Sequence, residues 1–137
     1  MQKVIDAHVH LDDRISGGAI NAAKILDNDL KEIGIEKAIV LHLDFQRWSV
    51  KEFSDAILPF KRLVGFVNIN PDHDDAIEQL DKAVNLYSFK GLKLHPRLLE
   101  HKIDNENSIK LVQHAGNIGI PVIICGFPDG DWLMQGG

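Results

Sequence analysis

The chain alternates short apolar runs with helical periodicities, and this alternation limits the folds open to it more than any other property of its sequence. Apolar runs typical of buried strands lie near residues 4–9, 37–43, 63–69, 91–94 and 121–125. Between them, apolar residues recur at spacings of three and four, which indicates helices with one buried face. Strands that alternate with helices form parallel sheets. The sequence therefore predicts an α/β fold with about four strand–helix units and a fifth strand.

Capping residues mark where the predicted helices begin and end. Ser49 followed by Glu52 is a capping-box pattern, and residues 104–107 can cap a later helix. Gly34 and Gly119 are placed to end helices. Three carboxylates are available to cap the helix after the third strand: Asp72, Asp74 and Asp75.

Two parallel architectures fit this pattern: the first five units of an eight-unit TIM-barrel-like (β/α) fold, and a small open parallel sheet. The length of 137 residues favours the open sheet, because complete barrels take about 250 residues. Polar residues at the carboxyl ends of the predicted strands favour the barrel, which collects its active-site groups there. These residues are His8, His10, His42, Asn70, His95 and Cys125. We expect a single domain over residues 1–137 that forms a partial barrel.

The composition argues against several classes of partner. The formal net charge is −5, whereas nucleic-acid-binding proteins are usually basic. No stretch approaches the roughly 18 consecutive apolar residues of a membrane span. The single cysteine, Cys125, excludes an internal disulfide and fits a reducing compartment, and the N-terminus lacks the layout of a signal peptide. We therefore expect a cytoplasmic protein that binds neither nucleic acid nor membranes.

The first strand carries two histidines one residue apart, His8 and His10. Residues i and i+2 of a strand point to the same face, about 6.6 Å apart, so both imidazoles can reach one metal ion. The apolar character of this strand predicts that it is buried, and buried imidazoles need partners. The alternative is a pair of surface histidines on an edge strand. The pattern favours the metal site.

Three segments together resemble the amidohydrolase-related metal-dependent hydrolases: IDAHVHL at residues 5–11, GLKLHP at residues 91–96 and IPVII at residues 120–124. TatD-like nucleases and PHP-type phosphoesterases have similar His-x-His openings, and the combination with the fourth-strand pattern is more specific. The resemblance extends to about residue 126. It implies a distorted TIM barrel with one or two divalent ions, usually zinc. Its reactions would be hydrolysis of C–N or ester bonds, or decarboxylation or hydration of carboxylated ring compounds.

The resemblance also implies roles for individual residues. His8 and His10 match the metal ligands of the first strand. The family's next ligand, a histidine that ends the fifth strand, corresponds to Cys125, which is either a thiolate ligand of zinc or a small buried residue. Lys93 matches a lysine that some amidohydrolases carbamylate, but we prefer an unmodified lysine that anchors a substrate carboxylate or pairs with an acid. His95 is a further ligand or a proton shuttle, or it only hydrogen-bonds in the barrel mouth. Lys93 and His95 are the catalytic candidates.

The resemblance leaves the enzymatic status of this chain uncertain. The family's aspartate at the end of the eighth strand has no counterpart in the sequence. The first hypothesis is a metal-dependent hydrolase, or related lyase, that acts on a small molecule and is incomplete as this chain. The alternatives are a non-catalytic barrel fragment that self-associates and a phosphoesterase with a similar first strand. Two apolar sheet edges predict a homo-oligomer, and three histidines in polar surroundings are expected to be solvated: His73, His101 and His114.

Overall fold

The computed structural model of this protein describes residues 2–126, in which strands and helices alternate as the sequence predicts. No helix in this range is long and apolar enough to span a membrane. The prediction of a single domain includes residues outside the described range and stays a prediction. The elements are β1 (Val4–Val9), α1 (Gly18–Glu32), β2 (Ile35–Leu41), α2 (Val50–Ile57), β3 (Leu63–Asn68), α3 (Ala76–Tyr87), β4 (Gly91–Leu94), α4 (Glu106–Asn117) and β5 (Val122–Ile124).

The five strands form one parallel sheet in the order β1-β2-β3-β4-β5. An open doubly wound sheet reverses its strand order at a switch point, and this sheet has no such reversal. Because parallel crossovers are right-handed, sequential order keeps all the helices on one side, and each helix packs against the next. The sheet curls as part of a barrel. The expected partial TIM-barrel-like fold is confirmed, and the open doubly wound alternative is wrong.

The helix caps follow the sequence in two places and differ from it in a third. Ser49 Oγ accepts a hydrogen bond from the Glu52 amide at 3.1 Å, and Asn105 caps α4 in the same way. Asp75 occupies the N-cap position of α3 without a side-chain cap, because its carboxylate binds the Gln79 side chain at 2.6 Å instead. The prediction that an aspartate carboxylate caps α3 is therefore wrong.

The sheet has an outer face that packs on the helices and an inner face that points away from them. Alternate residues such as Val40, Val67 and Leu92 join the helix-side core. On the inner face, the ring of Phe66 packs so closely over Gly91 that a Cβ at residue 91 would lie 2.4 Å from it. Gly91 thus lets an aromatic ring cover the inner end of β4, and the inner face is itself well packed.

The expectation that β1 is buried is wrong. Val4 is 51% exposed and Ile5 is 61% exposed. β1 is exposed because it lies at an edge of the sheet and pairs only with β2 among the described residues. Its pairing is also irregular, with register shifts between Val4 and Ile5 and between Asp6 and Val9.

Candidate functional site

The two histidines of the first strand lie together on the inner face. Val9, between them, packs against the helix-side core, so alternation turns His8 and His10 the other way. Their ring centroids are 5.1 Å apart and the rings meet edge to face. The side chain of Asp6 accepts a hydrogen bond from the His8 amide at 3.0 Å. The structure therefore brings two imidazoles to one place.

The tautomer of His10 follows from its hydrogen bond. Its Nδ1 lies 3.0 Å from the carbonyl oxygen of Leu41. A carbonyl oxygen can only accept a hydrogen bond, so Nδ1 carries the proton and Nε2 keeps its lone pair. Metal-ligating histidines are commonly oriented by such a bond from the other ring nitrogen. His10 is thus prepared to act as a ligand through Nε2.

Lys93 lies on the inner face of β4 and is the main charge near the histidine pair. Its side chain is only 1% exposed, and its ammonium Nζ has no hydrogen-bond partner within residues 2–126. Burial lowers the pKa of Lys93 from its ordinary value. Partial burial and then the charge of Lys93 lower the pKa of His8. A buried, unpartnered ammonium is costly, so this part of the inner face is suited to an anion.

His95 follows β4 on the same face as Lys93, and its hydrogen bond indicates which ring nitrogen carries the proton in the neutral ring. The amide of Leu98 donates to Nδ1 of His95 at 3.3 Å. In the neutral ring, Nε2 therefore carries the proton. Burial and the charge of Lys93 lower the pKa of His95 and favour this neutral ring. The neutral ring with its proton on Nε2 suits a hydrogen-bond donor better than a metal ligand through Nε2.

Asn68 connects three strands at the edge of this site, and sequence reasoning missed it. Its side-chain amide donates to the Lys93 carbonyl at 3.0 Å, and its side-chain oxygen accepts from the Asp44 amide at 3.0 Å. Its own backbone amide donates to Nδ1 of His42 at 3.1 Å. An asparagine within the otherwise apolar run of residues 63–69 was the available signal. Asn68 fixes the carboxyl ends of β2, β3 and β4 relative to one another.

His42 does not belong to this site, although the sequence placed it at the mouth of the barrel. It is 2% exposed and lies on the outer face, where its ring meets those of Phe53 and Phe89 edge to face. Burial lowers the pKa of His42 to about 4. It is a neutral core residue.

Two further histidines differ from the expected solvated state. His101 is 5% exposed and contacts Ser108 Oγ at 3.2 Å through Nδ1. His114 is half-buried and contacts Asp81 at 2.6 Å. Both lie on or beside α4, where packing between neighbouring helices covers residues whose sequence neighbours are polar. His73 is exposed as expected.

The described residues supply only some of the ligands that a divalent ion needs. No group of three or more histidine, cysteine, aspartate or glutamate side chains in residues 2–126 is arranged to hold a metal ion. Cys125 follows β5 and is partly exposed, and it interacts electrostatically with Lys93. It does not join His8 and His10 in a three-residue group. The two imidazoles fit a metal in chemistry and placement, but supply only two of its ligands.

Comparison of sequences finds no match. No family model matches the chain, and no curated protein matches it at significant similarity.

Comparison of structures finds similar folds. A candidate amidohydrolase from Staphylococcus aureus matches with a TM-score of 0.73 at 13% identity, over 98% of this chain and 50% of its own. A second match is a 5-carboxyvanillate decarboxylase from Novosphingobium aromaticivorans, with a TM-score of 0.67 and 14% identity over 96% of this chain and 53% of its own. It was solved with manganese and 3-methoxy-4-hydroxy-5-nitrobenzoic acid. A candidate 2-pyrone-4,6-dicarboxylic acid hydrolase from Acinetobacter baumannii, with citric acid bound, matches with a TM-score of 0.63 and 14% identity. The match covers 90% of this chain and 49% of its own.

These matches bear on fold, since the identities are low. The chain spans about half the length of the solved structures that it matches. Those structures are a candidate amidohydrolase, a candidate hydrolase and a decarboxylase. The resemblance that the sequence indicates is therefore confirmed for the fold, and this chain has the architecture of about half of such a barrel.

Proposed function

We propose that this chain carries part of a metal-dependent hydrolase or decarboxylase site for small carboxylated molecules. His8 and His10 would hold a divalent ion, zinc or manganese. Such an ion would polarise a substrate carbonyl and activate water. A small-molecule substrate fits the structural neighbours, and the cytoplasmic location stays a prediction of the sequence.

The observation that carries the proposal is the histidine pair on the inner face. The two rings are 5.1 Å apart, and the Leu41 carbonyl fixes His10 in the tautomer that leaves Nε2 free. Both histidines are exposed on an edge strand, as the surface alternative expects, and the bond from His10 to the Leu41 carbonyl is what distinguishes the pair from freely solvated side chains. Imidazole nitrogen is a common zinc ligand, so two neighbouring imidazoles would supply two ligands of one ion.

Lys93 and His95 would bind and orient the substrate. The sequence left two partners open for Lys93, a substrate carboxylate or a neighbouring acid, and no acid pairs with it within residues 2–126. A substrate carboxylate would supply the missing partner for its ammonium. His95, with its proton on Nε2, would donate a hydrogen bond to the substrate from the same face. Two structural neighbours were solved with carboxylic acids bound, citric acid and a nitrobenzoic acid.

The test is a metal-binding titration of the metal-free chain with zinc and with manganese, followed by calorimetry and metal analysis. The wild-type chain should bind one of these ions, and the double variant His8→Ala/His10→Ala should lose affinity by about tenfold or more. His73→Ala is the matched control, because His73 is exposed and lies outside the site. Equal affinity in the wild type and the double variant would place the metal elsewhere and refute the proposal.

A further inference from the structure

Cys125 is the single cysteine of the chain and lies at the carboxyl end of β5. Its amide donates a hydrogen bond to the Leu94 carbonyl at 3.0 Å, so the pairing of β4 with β5 continues one residue beyond Ile124. Val122 packs against the helix-side core, and alternation along the strand therefore turns Cys125 to the inner face. The thiol is partly exposed, so a small reagent in solution can reach it.

Lys93 lies beside this thiol on the neighbouring strand. It pairs with Ile123 in the parallel register, two residues before Cys125, so standard strand spacings place the Cα atoms of Lys93 and Cys125 about 8 Å apart. The two side chains share the inner face and interact electrostatically. Nζ of Lys93 is buried and has no hydrogen-bond partner within residues 2–126. An accessible thiol therefore lies next to a buried donor that lacks a partner.

We propose that Cys125 is a nucleophilic site for small electrophiles that carry a carboxylate, and that Lys93 binds this carboxylate. The inference rests on the proposed carboxylate binding by Lys93. In the reaction with an α-halo acid, the thiolate sulfur forms a bond to the α carbon, and the carbon–halogen bond breaks as halide leaves with the electron pair. The thiol proton goes to water. The product is a thioether whose carboxylate stays beside the Lys93 ammonium.

A carboxylated electrophile is favoured over a neutral one for an electrostatic reason. Opposite charges attract more strongly away from bulk water, and hydrogen bonds between charged groups are stronger than those between neutral groups. Lys93 would offer both to an anion at Cys125 and neither to a neutral amide of the same shape. The thiolate is the reacting form for either reagent, so the ratio of the two rates does not depend on how much thiolate is present. Selection for the anion is therefore the specific expectation.

Alkylation of the whole chain by iodoacetate and by iodoacetamide tests this inference, because the first reagent carries a carboxylate and the second a neutral amide. Loss of free thiol gives the two rate constants, and mass spectrometry locates the adduct on Cys125. We expect the ratio of the iodoacetate rate to the iodoacetamide rate to fall by about tenfold in Lys93→Met. Lys90→Met is the control and should keep the wild-type ratio, since Lys90 is exposed and lies before the start of β4.

Protection by citrate gives a second measurement that needs no variant. Citrate should compete for Lys93 and slow the reaction of the wild-type thiol with iodoacetate. Sodium chloride at the same ionic strength should slow it less, because it only screens the charges. This measurement decides the matter if Lys93→Met does not fold.

The other outcomes separate this inference from the proposed function. An unchanged rate ratio in a folded Lys93→Met chain would overturn the inference, and so would an equal fall in Lys90→Met, a thiol that reacts with neither reagent, or citrate that protects no better than sodium chloride. If calorimetry still shows citrate binding to the wild-type chain in these cases, the carboxylate site stands and only the role of Cys125 falls. A wild-type chain that binds no citrate would overturn the carboxylate site as well.

Discussion

Lys93 shows how a buried polar side chain can oppose folding. Its amine is buried without a hydrogen-bond partner in the described residues, and such a polar group costs about 1–3 kcal/mol, or more when it is charged. We predict that Lys93→Met raises the free energy of unfolding by an amount of this order and abolishes carboxylate binding. Urea unfolding at pH 7 and a citrate titration measure the two effects. Lys90→Met is the control, because Lys90 is exposed. A destabilised Lys93→Met would show that Lys93 has a partner that stabilises the fold.

His42 should make the stability of this protein depend on pH. Burial lowers its pKa in the folded state to about 4, against about 6.5 when unfolded. The unfolded state therefore binds more protons between these values, so stability is lost as pH falls through this window. The loss from pH 7 to pH 5 should be roughly 2 kcal/mol. Unfolding of His42→Gln at both pH values should show a loss smaller by that amount. Parallel losses in the two proteins would contradict the prediction.

Single residues were predictable from the sequence where local geometry decides, and not where packing decides. Spacing by two residues puts His8 and His10 on one face of any strand, and the structure places them so. Spacing cannot say which face a histidine takes, and His42 turned to the helices, where Phe53 and Phe89 enclose it.

Among the elements, the caps of α2 and α3 offer a matched comparison. Ser49 Oγ accepts a hydrogen bond from the Glu52 amide at the start of α2. Loss of such a cap costs about 0.5–2 kcal/mol. Asp75 holds the same position in α3 without a side-chain cap. We predict that Ser49→Ala lowers the free energy of unfolding by about 1 kcal/mol and Asp75→Ala by less. Chemical unfolding of both variants measures the difference. A larger loss in Asp75→Ala would reverse the assignment.

Element types were predictable because apolar periodicity differs between strands and helices. All nine elements of the described range lie where the sequence placed them. The environment of β1 was not predictable from its own residues, because an apolar strand in the middle of a parallel sheet and one at its edge share the same composition. Position in the sheet is a property of the whole topology, and β1 is an outer strand.

At the scale of the whole molecule, the sequence left the partial barrel and the open sheet as alternatives. The sequential strand order decides between them, and strand order depends on contacts between distant segments. The polar residues at the carboxyl ends of the strands were the better guide, and the length was the poorer one. Site chemistry thus carried information about topology that local patterns lacked.

The chain as a whole should bind zinc without hydrolytic turnover. Catalytic zinc sites have three protein ligands and one open position. Within residues 2–126 the donor set reaches two imidazoles, fewer than a catalytic zinc site uses. This donor set predicts hydrolysis of a p-nitrophenyl ester no faster than by free zinc at the same concentration. The double variant His8→Ala/His10→Ala should match the wild type in this assay. Chelator-sensitive hydrolysis that exceeds free zinc and disappears in the double variant would show that a complete catalytic site forms in this chain.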